Sequence, residues 1–390
     1  MNIQRRDFLI SGATALAAAG LPRMARGAEG CCAGPFKTVL KKALIRKRLT
    51  PDVVKVLKDN GYPGVELQDK SVTEAEARAA RRLAEDEGLR IHSFMGGWLD
   101  FNAKDPAKRR DAIEAGKKNL RLASAYGASV ILVVPGRVGG IPMPRPSAFK
   151  LAYDPKTLML SRAADADFPA YVQAQNDATK YAQDAVCELV PLASELGVTI
   201  GLENVWNNLW VKPDFAAAFI RSFKNAWVKS YLDLGNHERY APAQEWVRAL
   251  GDQIVKLHIK DFKVDRALEK EGTFVRIGDG TIDFKAVRRA IERVGYSGWV
   301  SIESSGWTDA EHSAIMDRFF AGKLEAKLFS EKIISRLRGS RKHDKLAASL
   351  HRDTRLDQPK GIVYDVENEV FRAVRGLRAR EWCAVRHPEL

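Results

Sequence analysis

Cysteine is scarce in this chain, and long apolar segments are missing. Four cysteines occur among 390 residues; Cys31 and Cys32 are adjacent, while Cys187 and Cys383 are isolated. This number and spacing exclude a disulfide framework and a four-cysteine zinc site. No internal apolar run reaches the roughly 20 residues that a membrane-spanning helix needs. We therefore expect no stable membrane span, whereas a hydrophobic fraction of 45% suffices for a sizeable core.

The central part of the chain also lacks an excess of basic residues, although the net charge is +14. Residues 1–48 carry ten Lys/Arg against two Asp/Glu, and residues 327–390 carry fifteen against nine. Residues 49–326 contain 38 residues of each sign. A protein that binds the backbone of nucleic acids needs a clustered basic face. We therefore expect no nucleic-acid partner, and we interpret the basic ends as an export signal and a solvated tail.

The first 28 residues have the pattern of a targeting segment. Arg5 and Arg6 form a pair, a short and weakly apolar stretch follows, and small residues near Ala28 offer a cleavage position. This pattern resembles a twin-arginine signal peptide. We therefore predict that residues 1–28 direct export and that the protein is periplasmic.

Residues 38–325 alternate between strand-like and helix-like patterns. Short apolar runs are separated by amphipathic stretches, several of which end in a glycine such as Gly61 or Gly197. This alternation indicates a parallel sheet, and eight units in about 290 residues fit a closed (β/α)8 TIM barrel. No GxGxxG motif follows the first strand, which disfavours an open doubly wound sheet. The predicted strands are 38–45, 64–68, 89–94, 129–135, 198–204, 229–234, 254–260 and 299–304.

Two segments do not fit the repeat. Residues 137–168 form a long predicted loop on the side where barrel active sites lie. Loops of this length are often functional, so we interpret it as a lid or an interface. Residues 326–390 form a basic C-terminal extension without a clear period, and we assign no role to it.

Four polar residues lie near the carboxyl ends of the last four predicted strands. Side chains alternate along each strand with period two, so residues of one parity face the outer helices and the others face the barrel interior. Barrel enzymes build their active sites at the carboxyl ends of the strands. The residues that the pattern directs inwards at these ends are Glu203, Asp233, His258 and Glu303.

Three carboxylates and one imidazole at a single place need a compensating positive charge. Without a cation these groups would repel and desolvate each other. Taken one at a time, each residue has the plainer interpretation of an ion pair or a helix cap, but four in matching positions favour a metal. We therefore predict one divalent ion, and oxygen ligands with one imidazole suit Mn²⁺, Mg²⁺, Co²⁺ or Zn²⁺.

Five short motifs surround these residues. They are GLEN at 201–204, LDLGN at 232–236, LHIKD at 257–261, GDG at 278–280 and SIES at 301–304. In this order the motifs resemble the xylose isomerase-like TIM-barrel superfamily, in its sugar phosphate isomerase/epimerase branch. The resemblance covers about residues 38–325 and implies that the four residues bind one divalent metal. It also implies that Glu203 and Glu303 act as the acid/base pair.

The sequence departs from some relatives in this superfamily. Ketose 3-epimerases often have a histidine three residues after the metal aspartate, whereas this chain has Asn236 there and His237 next. Nucleases of the endonuclease IV type need a histidine-rich multi-zinc site and a basic face. Only four histidines occur in the body of this chain, so a nuclease is disfavoured.

The predicted site favours proton transfer at carbon. A metal that holds a carbonyl and a neighbouring hydroxyl oxygen acidifies the C–H between them by stabilising an enediolate. One glutamate would remove the proton and the other would return one, which gives an isomerase or epimerase of a small sugar or keto-sugar. A lyase that dehydrates a keto-sugar or keto-inositol and a non-catalytic sugar-binding barrel are the alternatives. The oligomeric state, including a homo-oligomer, is left open.

Further residues near the strand ends are predicted to contact the sugar. Their common feature is a polar or aromatic side chain on the side of the barrel where the metal would bind. We interpret His92 as a core histidine and residues 278–280 as a tight turn. The predicted substrate-binding residues are Lys260, Glu66, His237, Trp98 and Trp206; for Glu66, orientation of a ligand is the alternative.

Overall fold

A closed barrel of eight parallel strands forms the body of the protein. The computed structural model describes residues 36–203 and 205–325. In chain order the strands are β1 (Leu40–Arg46), β2 (Gly64–Leu67), β3 (Arg90–Trp98), β4 (Val130–Val134), β5 (Ala152–Tyr153), β6 (Leu160–Arg162), β7 (Thr199–Leu202), β8 (Val228–Asp233), β9 (Ile254–Ile259), β10 (Asp261–Val264), β11 (Gly272–Val275) and β12 (Gly298–Ile302). The barrel closes in the order β1-β2-β3-β4-β7-β8-β9-β12, with β12 paired to β1.

Helices connect the barrel strands. They are α1 (Pro51–Asp59), α2 (Glu74–Asp86), α3 (Pro106–Ala125), α4 (Pro169–Leu196), α5 (Pro213–Ser222), α6 (Leu234–Glu238), α7 (Ala243–Leu250), α8 (Phe284–Val294) and α9 (Asp309–Phe320). The predicted (β/α)8 TIM barrel is therefore confirmed. The predicted signal peptide, residues 1–28, and the predicted extension, residues 326–390, lie outside the described residues.

Local signals in the sequence explain where several helices begin and end. Thr73 starts α2 with a capping box, in which its hydroxyl accepts from the N–H of Glu76 and the Glu76 carboxylate accepts from the N–H of Thr73. Thr308 starts α9 in the same way. Gly197 and Gly295 end α4 and α8 in the left-handed conformation, which glycine adopts without steric cost.

The apolar core is divided between two places. The larger part fills the space between the barrel and its helices, where strand residues such as Leu232 and Leu257 are fully or almost fully buried. A separate small cluster lies within the barrel, where three residues of β4 pack with Tyr231 of β8. The rest of the barrel interior therefore has room for polar side chains. In the part of the chain that the structure describes, no helix is long and apolar enough to cross a membrane.

Residues 137–168 contain more structure than the sequence indicated. Strands β5 and β6 pair as a short antiparallel hairpin in this segment, and β10 pairs with β11 in a second hairpin after β9. Ser147 donates its N–H (2.7 Å) and its hydroxyl to the buried carboxylate of Glu271, which precedes β11. The long segment is thus attached to the second hairpin. Its role as a lid or an interface stays a prediction.

Close packing at the start of β2 gives a test of the fold. A Cβ atom on Gly64 would lie 2.4 Å from Cζ3 of Trp299 and 2.9 Å from the carbonyl oxygen of Arg90. We expect Gly64→Ala to lower the free energy of unfolding by about 1–3 kcal/mol, because the added methyl group overpacks this contact. Chemical denaturation measures the change. Gly139→Ala is the control, because its Cβ would meet no heavy atom closer than 3.8 Å. Equal stability of the two variants would contradict this packing.

Candidate metal centre and active site

The predicted metal ligands come from four adjacent barrel strands. Glu203 follows β7, Asp233 ends β8, His258 lies in β9 and Glu303 follows β12. One ligand atom from each side chain lies within 4.8 Å of the others. The structure thus brings all four predicted ligands together at the carboxyl end of the barrel.

The cluster is closed on one side and open on the other. Glu203, Asp233 and His258 are buried, whereas the side chain of Glu303 is 37% exposed. Two clefts of about 550 and 360 Å³ are both lined by Glu303 and Ser304. A small molecule in either cleft would therefore lie next to Glu303.

The donor atoms of the cluster fit a divalent metal ion. Nδ1 of His258 lies 2.9 Å from Oε2 of Glu303 and 3.9 Å from Oδ2 of Asp233. Oδ2 of Asp233 is buried and accepts no hydrogen bond from the described residues. A buried carboxylate oxygen that accepts no hydrogen bond is costly, so this atom is suited to a bound cation. Three carboxylates with one imidazole are a donor set for divalent metals.

A short helix fixes the orientation of Asp233. Its carboxylate oxygen Oδ1 caps α6 by accepting the N–H of Asn236 at 2.7 Å, which leaves Oδ2 free to face the cluster. The side chain of Asn236 then donates to Oε1 of Glu203 at 3.0 Å. Asn236 is a site residue that the sequence patterns do not predict. The available signal was its position three residues after an aspartate that caps a helix.

Lys260 lies at the same cluster. Its Nζ is 3.1 Å from Oε2 of Glu303 and 3.4 Å from Oδ2 of Asp233, and it donates to Oδ1 of Asn236 at 3.2 Å. Burial acts to lower the pKa of Lys260, but the charges of Asp233 and Glu303 outweigh burial and raise this pKa. Lys260 is therefore a fixed positive charge beside the carboxylates.

The two glutamates experience opposite electrostatic environments. Burial, followed by the charge of Glu303, raises the pKa of Glu203 to about 8. Burial also acts to raise the pKa of Glu303, but the hydrogen bond and charge of His258 and the charge of Lys260 outweigh it and hold this pKa below its usual value. Carboxyl groups whose pKa values are driven apart are typical of acid/base pairs.

Trp206 and Trp98 have different surroundings. The indole N–H of Trp206 donates to the carbonyl of Asn236 at 3.1 Å, and its ring stacks on Phe274 at 5.0 Å between centroids. Trp206 thus lies beside the cluster. Trp98 ends β3, is half exposed and lies under Arg137, and none of its contacts within the described residues is with the cluster.

His237 and Glu66 line neither of the two clefts, and their predicted contact with the sugar stays a prediction. The ring of His237 is buried against Trp246 of α7, and its Nδ1 is 2.7 Å from the carbonyl oxygen of Asp233. His237 therefore faces the layer between barrel and helices. Glu66 is fully buried on the side of His258 opposite Glu303, because it contacts Nε2 rather than Nδ1.

The turn at residues 278–280 is occupied by a carboxylate of the protein. The N–H groups of Gly278 and Gly280 donate to Oδ2 of buried Asp261 at 2.8 and 2.9 Å. A Cβ on Gly280 would lie 2.1 Å from Oδ1 of Asp261, so this close approach requires glycine. These N–H groups serve the structure, as the prediction of a tight turn implied.

Fold and site together define a class: a (β/α)8 barrel with a carboxylate–imidazole cluster at the carboxyl ends of its strands. Residues 54–316 match the family model of the xylose isomerase-like TIM barrel. The chain belongs to this family, which confirms the resemblance seen in the motifs.

Several individual proteins are similar to the chain. L-ribulose-5-phosphate 3-epimerase UlaE of Salmonella paratyphi A is 26% identical over 296 residues, which cover 71% of this chain and 89% of that protein. A D-tagatose 3-epimerase-like protein matches 72% of this chain and 96% of its own, with 18% identity and a TM-score of 0.55. IolI, solved with a bound zinc atom, matches 74% of this chain and 100% of its own, with 16% identity and a TM-score of 0.54. The two structures show the shared fold.

Replacement of Asp233 tests the metal centre. Asp233→Asn keeps an oxygen that can cap α6 but removes the carboxylate charge that faces the cluster. We expect the affinity for Mn²⁺ or Zn²⁺ to fall by at least about tenfold, since even residues that only orient metal ligands contribute that much. Equilibrium dialysis with metal analysis measures the change. Asp59→Asn, at an exposed position in α1, is the control. Equal metal affinity of the two variants would contradict the assignment.

Proposed function

We propose that this protein is a divalent-metal-dependent sugar isomerase or epimerase that moves a proton at a carbon next to a carbonyl. The observation that carries the proposal is the convergence of Glu203 and Glu303 on one cluster with Asp233 and His258 at the carboxyl ends of the barrel strands. The similarity to proteins named as 3-epimerases supports a ketose as the substrate class.

The proposed reaction assigns different tasks to the two glutamates. The metal, held by the four cluster residues, would make the substrate C–H more acidic by stabilising the negative charge that develops on oxygen. Glu303 faces the clefts and is the carboxylate that we propose takes the proton from carbon. We propose that Glu203, the other glutamate of the cluster, returns a proton to the opposite face or to the next carbon.

Lys260 and Trp206 complete the proposed site. Nζ of Lys260 is held among the carboxylates and would donate a hydrogen bond to a substrate oxygen as negative charge grows there. The ring of Trp206 packs against Phe274, which lines the larger cleft. Phe274 is 43% exposed and offers an apolar face to the C–H groups of a sugar.

Hydrogen exchange at carbon tests the proposed activity. We expect the metal-loaded protein to incorporate deuterium from D₂O into one sugar of a panel that includes L-ribulose 5-phosphate, D-tagatose and D-psicose. Glu203→Gln and Glu303→Gln should each slow exchange by at least about 100-fold, because each removes a proton-transfer group. Glu195→Gln, at an exposed position in α4, is the control and should keep the wild-type rate.

Other outcomes of the same experiment would replace the proposal. An absorbing enone product would indicate a lyase that uses the same site. Sugar binding without exchange would indicate a non-catalytic sugar-binding barrel. Exchange at the wild-type rate in either glutamine variant would remove the acid/base assignment.

We propose further that the protein is exported to the periplasm through its twin-arginine pattern. Replacement of both Arg5 and Arg6 by lysine should retain the full chain in the cytoplasm, because the arginine pair is the signal that the export machinery reads. Cell fractionation and immunoblotting measure the distribution. Replacement of Arg23 and Arg26 by lysine is the matched control and should leave export unchanged. Equal export of both double variants would contradict this proposal.

A further inference from the structure

A buried carboxylate lies directly behind the imidazole of the cluster. Glu66, on β2, is fully buried and is not one of the four residues of the cluster. Its Oε2 atom lies 2.9 Å from Nε2 of His258, 2.9 Å from the hydroxyl of Ser301 and 2.5 Å from the hydroxyl of Tyr231. These contacts join β2 to β8, β9 and β12 across the barrel interior. Glu66 therefore contacts the ring nitrogen of His258 that faces away from the cluster.

The hydrogens that each group carries determine which atom donates in the hydrogen bonds around Glu66. An ionised carboxylate only accepts hydrogen bonds, so Ser301 and Tyr231 donate their single hydroxyl hydrogens to Oε2 of Glu66. The same reasoning requires Nε2 of His258 to donate as well. With its hydrogen committed to Glu66, Ser301 accepts from Nε2 of His92, which lies 3.1 Å away.

The other ring nitrogen of His258 is then the one that can bind a metal. Nδ1 faces Glu303 and Asp233, at 2.9 and 3.9 Å from their carboxylate oxygens. Without a metal, both ring nitrogens of His258 face carboxylates and each can carry a hydrogen; a bound metal ion would replace the hydrogen on Nδ1 and leave the lone pair of that nitrogen to the ion. A lone pair is what a metal ligand needs, so the hydrogen bond to Glu66 selects the tautomer of His258 that binds a cation at the cluster.

We propose that Glu66 is the positioning residue of the metal centre: it holds His258 with the hydrogen on Nε2 and the lone pair of Nδ1 directed at the metal. Ser301 and Tyr231 hold Oε2 of Glu66 in place, and His92 holds Ser301. This inference rests on the proposed metal site, but it does not depend on the reaction or on the sugar. It also explains why a carboxylate is buried in the barrel interior without lining either cleft.

The tautomer of His258 can be observed directly. In protein labelled with ¹⁵N-histidine and loaded with Zn²⁺, long-range ¹H–¹⁵N correlation distinguishes protonated from unprotonated ring nitrogens. We expect the signals of His258, assigned by their loss in His258→Gln, to show a hydrogen on Nε2 and the metal on Nδ1. A hydrogen on Nδ1, or the metal on Nε2, would overturn the proposal.

Metal affinity gives a second readout that is independent of activity. Glu66→Gln keeps the size of the side chain but lets it donate as well as accept, so it no longer fixes the tautomer. We expect the dissociation constant for Zn²⁺ to rise by about 10–100-fold, which is typical for the loss of a residue that orients a metal ligand. Glu271→Gln is the matched control, because Glu271 is equally buried and hydrogen-bonded but contacts Ser147 and Arg145 rather than the cluster. Equal affinities of the two variants would refute the role of Glu66.

A milder variant covers the case in which Glu66→Gln does not fold. Ser301→Ala removes one of the donors to Oε2 and leaves the carboxylate in place, so a smaller loss of Zn²⁺ affinity is expected. Wild-type affinity in Ser301→Ala, together with unchanged ¹⁵N signals of His258, would count against the network. If the wild-type protein itself binds no divalent metal, the proposed metal site fails, and that result is distinct from a failure of Glu66 alone.

Discussion

The repulsion among three carboxylates inside one barrel is the constraint on which the arrangement of this site depends. Glu203, Asp233 and Glu303 each offer an oxygen to the same small volume, and two of them are buried. Carboxylates at this distance and burial stay ionised only beside positive charge. Lys260 and His258 supply part of that charge from β9 and its end, and a divalent ion would supply the rest. The pKa values of Glu203 and Glu303 diverge because burial dominates at Glu203, whereas His258 and Lys260 outweigh burial at Glu303.

The same constraint is visible in the surrounding structure. One carboxylate oxygen of Asp233 caps α6 and the other faces the cluster. The cap therefore also orients a residue of the site. Asn236 connects Glu203 to Lys260, and Glu66 meets the far side of His258. Polar side chains therefore fill this part of the barrel interior, whereas three residues of β4 and Tyr231 form an apolar cluster in another part. Hydrogen bonds from Asn236, Lys260 and Ser301 offset part of the cost of this burial, whereas Oδ2 of Asp233 and Oε1 of Glu66 accept none from the described residues.

Much of the fold and of the ligand set could be predicted from sequence, because both depend on local periodicity. Strand–helix alternation gave the barrel, and strand parity with strand-end position brought Glu203, Asp233, His258 and Glu303 together. The hairpin of β10 and β11 was missed because its strands are only four residues long, with no repeating pattern. The contacts of Glu66 with β8, β9 and β12, and the bond from Asn236 to Glu203, are long-range hydrogen bonds, which no local pattern encodes.

Anomalous diffraction from crystals of the full chain grown with Zn²⁺ tests the central claim most directly. We expect an anomalous peak between Glu203, Asp233, His258 and Glu303, with Zn–N and Zn–O distances of roughly 2.0–2.2 Å. The peak should contact Nδ1 of His258 rather than Nε2. A structure with no zinc at the cluster, under conditions that load zinc elsewhere on the protein, would contradict the account.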